Sequence, residues 1–165
     1  LENLFLAFDA FKTKSDNEIK LLIVGNKKWW PDELEEIYQS LTHGKEIIFL
    51  GRLSDLELSE ALSGAIALTY LPHFEGFGIP ILEAFQTKTP VITSNVTSMP
   101  EVADGAALLA DPKNVKQVAQ AMQTVSSDSQ KREEMIKKGA IRAQDFSWEK
   151  SAQLLWASIQ KTLKK

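Results

Sequence analysis

The sequence predicts an α/β domain in which a parallel sheet carries helices on both faces. Three observations predict it. Short apolar runs rich in β-branched residues recur along the chain, as in Ile19–Val24 and Ile47–Leu50. Stretches with apolar residues at helical spacing separate them. The runs are continuously apolar rather than alternating, which marks strands buried on both faces. At 165 residues the chain has room for one such domain with a sizeable core.

Each element follows in order. Leu1, Leu4, Phe5, Phe8 and Phe11 place the opening residues in a helix. Ile19–Val24 is the first strand, ended by Gly25. Pro31 suits the first turn of a helix whose apolar stripe is Leu34, Ile37, Tyr38 and Leu41. Ile47–Leu50 is the second strand, closed by Gly51. Ser54 and Glu57 have capping-box spacing and start a helix that runs to about Ser63. Ala65–Tyr70 is the third strand, and a helix from Ile79-Pro80 to about Thr87 follows. Pro90–Thr93 is the fourth strand. Ser98 and Glu101 flank a short helix start, with Glu101 capping it through Ser98, and Ala106–Ala110 is the fifth strand. Helices at about Asn114–Val125, Ser129–Gln144 and Ser147 to the end complete a Rossmann-like domain.

Composition narrows the function. With 44% apolar and 25% charged residues the chain is ordinary globular protein, not a disordered tail. Nineteen basic against 22 acidic residues give a net charge of −3, which leaves no electrostatic footprint for nucleic acid. The absence of cysteine removes disulfides and thiolate chemistry, and two histidines, His43 and His73, do not make a metal site. No run of 18 apolar residues and no charged-then-apolar leader is present, so a cytoplasmic domain without a transmembrane segment is expected. Because the chain begins at Leu1, residues 1–165 are expected to be a domain truncated at its N-terminus.

One loop is chemically dense: Pro72-His73-Phe74-Glu75-Gly76-Phe77-Gly78-Ile79-Pro80-Ile81-Leu82-Glu83. In parallel sheets ligands bind beyond the carboxyl ends of the strands, where loops feed helix N-termini. Gly76 and Gly78 permit positive φ and close backbone approach, and main-chain amides at a helix start favour an anion such as phosphate. A glycine-flanked junction of this kind is also often a turn and nothing more. Glu83 lies one turn inside the helix, roughly 6 Å along its axis. A carboxylate there suits a sugar or ribose diol and not a phosphate. Glu75, before the glycines, could meet the other end of the same ligand. A phosphate between two sugars, each read by a carboxylate, describes a nucleotide-sugar. From Leu71 to Thr87 there is no Lys or Arg, so the counter-charge for a diphosphate has to come from elsewhere.

The run Glu75-Gly76-Phe77-Gly78-Ile79-Pro80-Ile81-Leu82-Glu83-Ala84 closely resembles the retaining family 4 glycosyltransferases of the GT-B fold. So do Thr89-Pro90-Val91-Ile92-Thr93-Ser94, Met99-Pro100-Glu101-Val102, Asp104–Leu109 with Asp111-Pro112, Phe49-Leu50-Gly51 and Phe146-Ser147-Trp148, in order along the chain. The resemblance implies the C-terminal, nucleotide-sugar donor-binding half of such an enzyme, a Rossmann-like parallel sheet lacking its first strand. It implies that Glu75 is the catalytic glutamate near the transferred sugar and that Glu83 holds the nucleotide ribose. The backbone of Gly76, Phe77, Gly78 and Ile79 would bind donor sugar and diphosphate, and Arg52 and Leu53 would lie at the nucleobase.

It further implies hexose transfer with retention, mannosyltransferase-like, in polysaccharide biosynthesis. The donor would be GDP- or UDP-linked, with no metal or other cofactor, and the acceptor a glycan or lipid-linked molecule held by an N-terminal domain outside this sequence. The isolated chain would be inactive, and a membrane-peripheral location would fit the family's habit. A nucleotide-sugar epimerase of GT-B architecture and a non-catalytic Rossmann-like interaction module are the alternatives. The Pro-Ser pair common ahead of the first glutamate is replaced by Leu71-Pro72, followed by His73. His73 reads as a surface loop residue, or as one oriented near the donor sugar. His43 reads as a cation at a helix end. Trp29 and Trp30 read as cover for a sheet edge, and Trp148 and Trp156 as packing on the last helix.

Overall fold

The computed structural model describes residues 1–163 apart from Asp16, Lys28 and Trp29. The first half contains α1 (Glu2–Thr13), β1 (Leu21–Val24), α2 (Asp32–Ser40), β2 (Ile47–Gly51) and α3 (Asp55–Gly64). Then come β3 (Leu68–Tyr70), α4 (Ile79–Gln86), β4 (Val91–Ser94), α5 (Met99–Ala103) and β5 (Leu108–Ala110). Three helices end the chain: α6 (Val115–Ser127), α7 (Ser129–Ala143) and α8 (Trp148–Leu163). Each expected element is present, although β3 and β5 begin later than their apolar runs. The Ser54–Glu57 capping box forms in both directions, with Ser54 N–H donating to the Glu57 carboxylate at 2.8 Å; such a cap contributes about 1 kcal/mol. Asn114 and Asp128 cap α6 and α7 through the amides of Gln117 and Lys131.

The β1–β2, β3–β4 and β4–β5 pairings are parallel, in two separately bonded sheets, with one antiparallel bridge between Gly25 and Gly51. Leu21 pairs opposite Ile47 in the first sheet; in the second, β4 lies between β3 and β5, with Leu68 opposite Val91 and Ile92 opposite Leu108. The outer edges of β1 and β3 face a cavity of about 1030 Å³, lined among others by Leu22, Val24, Leu68 and Tyr70. Parallel sheets flanked by helices are the layout the resemblance implies.

Two apolar clusters hold the sheets. On one face Phe5, Phe8 and Phe11 of α1 pack with Ile47, Ile92, Val118 and Met122, so that one helix spans both sheets. On the other face Ile81, Ala84 and Phe85 of α4 meet Val91, Met99 and Val102. Among the described residues nothing packs closely on that second face of β1 and β2. The run Ile19–Val24 predicts a strand buried on both sides; instead Leu22 and Val24 are nearly half exposed, together with Ile48 and Leu50. The reason is that α3 packs against α4 and leaves β1 and β2 without a second layer.

Three side-chain expectations need correction. Trp148 and Trp156 do not pack: they are 86% and 59% exposed, because no described element covers α8, none of whose residues is buried. His43 does not cap a helix C-terminus. It lies three residues beyond α2, its backbone N–H donates to Asp9 and its ring nitrogen Nδ1 sits 3.0 Å from Glu46. Lys12, buried at the end of α1, pairs with that same Glu46 and reaches the carbonyls of Asn17 and Ile19. Trp30 packs in a cluster with Phe5, Tyr38 and Phe49, with the Lys27 ammonium over three of the rings. Trp29 lies outside the described residues, as do Lys164 and Lys165.

Candidate functional site

The loop after β3 leaves the carboxyl edge of the second sheet and turns into α4. Gly78 makes that turn possible. It is the N-cap of α4 with φ of +102°, a left-handed conformation that a side chain makes costly. A Cβ there would lie 2.6 Å from Met99 Cε, so the backbone also needs the space. Gly76, expected to share that freedom, does not take a positive φ and has open space around it. Pro80 stands in the first turn of α4, where its missing N–H costs nothing. The amides of Gly78 and Ile79 donate to no acceptor among the described residues and lie at the positive end of the helix.

Glu75 is held from both sides. The Tyr70 hydroxyl, at the end of β3, donates to Glu75 Oε2 at 2.9 Å, and the Gly76 amide donates to Oε1 at 3.0 Å. These bonds, the tyrosine's first, hold the carboxyl below the usual carboxylate range. Burial, and then the neighbouring carboxylate, push the Tyr70 phenol up to about 12. The pair is therefore an anion and a permanent donor across the neutral range.

Ser98 was expected to cap α5 with Glu101, and it does not. Its backbone is αR and not extended, which turns the hydroxyl away from the helix amides. The hydroxyl reaches back across the site to the carbonyl of Glu75 at 2.8 Å and lies 3.3 Å from that of Phe77. Phe77 is fixed a third way, edge-on to Phe146 at 5.6 Å. Arg142 stacks over Phe146 and donates to the carbonyls of Glu101 and Val102.

Glu83, half-buried on α4, lines the cavity between the two sheets together with Pro72, His73 and Pro80. Its carboxylate takes no hydrogen bond among the described residues, so its acceptors are open. His73 is exposed and on the same lining. Arg52 and Leu53 follow β2, outside that lining; Arg52 is exposed and Leu53 half-buried. Glu75, Gly76, Phe77, Gly78, Ile79 and Glu83 thus lie on one loop and the helix it starts; of these Glu83 is on the cavity lining, while Glu75 to Ile79, like Arg52 and Leu53, are not. Sequence reasoning misses Tyr70, Ser98 and Phe146. Tyr70 had a legible signal, a polar tip closing an apolar strand just before the loop. Among the described residues no group of three or more His, Asp or Glu side chains could hold a metal ion, and no helix is long and apolar enough to cross a membrane.

Fold and loop together define a Rossmann-like domain with its acidic glycine loop at the carboxyl ends of the strands. Residues 1–142 match the family described as glycosyl transferases group 1, and the chain belongs to that family. It is 35% identical over 150 residues to the O-antigen chain mannosyltransferase B of Escherichia coli, covering 90% of this chain and 39% of that protein. The C-terminal domain of a group 1 glycosyl transferase, LpcC, from Francisella tularensis superposes with a TM-score of 0.70 at 25% identity, covering 87% of this chain and 77% of that one. The Anabaena protein HepE, solved with UDP-glucose, superposes at 0.80 with 18% identity, covering 94% and 44%. The fold is that of GT-B C-terminal domains, and the chain spans about two-fifths of the E. coli relative's length.

Proposed function

We propose that this domain binds the nucleotide-sugar donor of a retaining hexosyltransferase, with a guanosine diphosphate sugar such as GDP-mannose as the preferred donor. One observation carries the reading. A braced, ionised Glu75 and an open Glu83 flank a helix mouth whose Gly78 and Ile79 amides are free to donate. Such amides suit a diphosphate, while each carboxylate suits hydroxyls. Glu83, on the cavity side, holds the ribose, and Glu75 orients the sugar near its anomeric carbon and offers negative charge to the cationic character that develops there. The likeness to an O-antigen mannosyltransferase supports mannose and a polysaccharide acceptor. The Leu71–Thr87 segment has no basic residue, so the cation that balances the diphosphate comes from outside it.

Calorimetric titration with GDP, UDP and GDP-mannose tests the reading. The 165-residue chain is expected to bind GDP weakly and to transfer nothing. In the intact glycosyltransferase, Glu83→Ala should weaken GDP-mannose binding about tenfold, the scale of hydrogen bonds to a charged group. Glu75→Ala should lower kcat more than it raises KM, and transfer should survive EDTA. Wild-type affinity in Glu83→Ala together with wild-type turnover in Glu75→Ala would remove the assignment.

A further inference from the structure

We propose that Tyr70 is a positioning residue for the reaction, a strand-borne donor that fixes the orientation of the Glu75 carboxylate, with Ser98 holding the loop backbone beneath it. The inference rests on the reading of Glu75 given above. Glu75 stands on a loop, and a loop-borne carboxylate has two side-chain torsions and a carboxyl rotation to settle before it can face a sugar in one orientation. Tyr70 settles them from a rigid support. Its backbone is in register with Thr93 of β4, and its half-buried ring packs against the cluster built by Ile81, Phe85 and Val91. Its only side-chain hydrogen bond among the described residues goes to Glu75 Oε2.

The second oxygen takes the Gly76 amide, and the Phe77 amide adds a weaker pull on the same carboxylate; four lone-pair directions leave room for substrate beside these donors. Ser98, arriving from the β4–α5 connection, donates to the Glu75 carbonyl and fixes the main chain at the same residue. The strand end and the loop's own backbone therefore hold the carboxylate, and the β4–α5 connection holds the main chain that carries it. A phenol serving only as a satisfied core group would need a single acceptor of any kind, and the carboxylate could then be replaced without consequence for chemistry.

The test uses the intact enzyme with GDP-mannose as donor and compares Tyr70→Phe, Ser98→Ala and Glu75→Gln. Tyr70→Phe keeps the ring and its packing and removes one donor. Its kcat should fall about tenfold, the scale of one hydrogen bond to a charged group, with donor KM changed less than about twofold. Removing the donor raises the pKa of Glu75. The acid limb of the kcat profile should therefore move to higher pH, a change that lost packing would not produce. In a Glu75→Gln background, Tyr70→Phe should add no further loss, because the two act as a unit. Ser98→Ala should lower kcat by a smaller factor.

An unmoved acid limb in Tyr70→Phe overturns the proposal, whether kcat is unchanged or falls along with the melting temperature. Full multiplicativity with Glu75→Gln overturns it as well. If Glu75→Gln itself turns over like wild type, the reading of Glu75 fails first, and that outcome is distinct from failure of the brace alone.

Discussion

β1 and β4 are both four-residue parallel strands, and their surroundings differ completely. Every residue of β4 is buried: Ile92 faces the cluster beneath α1 and α6, and Val91 faces the cluster beneath α4. β1 has cover on one side only, with Leu21 and Ile23 inward and Leu22 and Val24 outward. The candidate site residues gather at the twice-covered sheet. Tyr70, Glu75, Gly78 and Ser98 all lie on β3, on α4 or on the loops that leave β3 and β4, beside a strand buried on both faces. The half-covered sheet supplies Arg52 and Leu53, the residues expected at the nucleobase.

Four measurements test this contrast. The largest effect is expected at Ile92, fully buried between the sheets and α1. Ile92→Ala should cost about 3–4 kcal/mol in chemical denaturation, transfer and cavity terms together. A cost below about 1 kcal/mol would show that β4 is no better held than β1. Next comes Gly139→Ala on α7. In an open helix that change stabilises by about 1 kcal/mol, but here the new Cβ would lie 2.6 Å from the buried Phe85 ring. The expected result is a loss of about 2 kcal/mol, the opposite sign; a gain would mean that α7 sits loosely on α4.

Leu22→Ala, at a position 46% exposed, should cost less than about 1 kcal/mol. A larger loss would reveal cover on that face. The smallest effect concerns Glu134, exposed on α7, whose carboxyl is lowered to about 2 by Lys131 and Lys138. A depressed carboxylate pKa adds stability above the unfolded value of 4.5, and that stability fades as pH falls from there toward 2. Exposure screens it, so Glu134→Gln should leave the melt at pH 7 unchanged within scatter in physiological salt. A clear drop at pH 7 would place these charges in a less watery setting than their exposure shows.

Element type and order were legible because the apolar periods and caps are local, as Ser54 with Glu57 shows. The acidic glycine loop was legible for the same reason: Glu75, Gly78 and Glu83 lie in one short segment. What escaped depends on partners far apart in sequence. Ser98 has the spacing of a cap and spends its hydroxyl on a carbonyl 23 residues earlier. Trp148 and Trp156 have the spacing of a buried stripe and lie open, since periodicity shows that a face is apolar and not what covers it. Glu101 offers a carbonyl to Arg142 from 41 residues away, a tie no local rule anticipates.

The edge-on contact of Phe77 with Phe146 has a structural meaning. Phe146 sits two residues before the first residue of α8, a 16-residue rod that touches little else. Phe146 also carries the Arg142 guanidinium, so the residue between the two loop glycines and the α7–α8 junction share one aromatic contact.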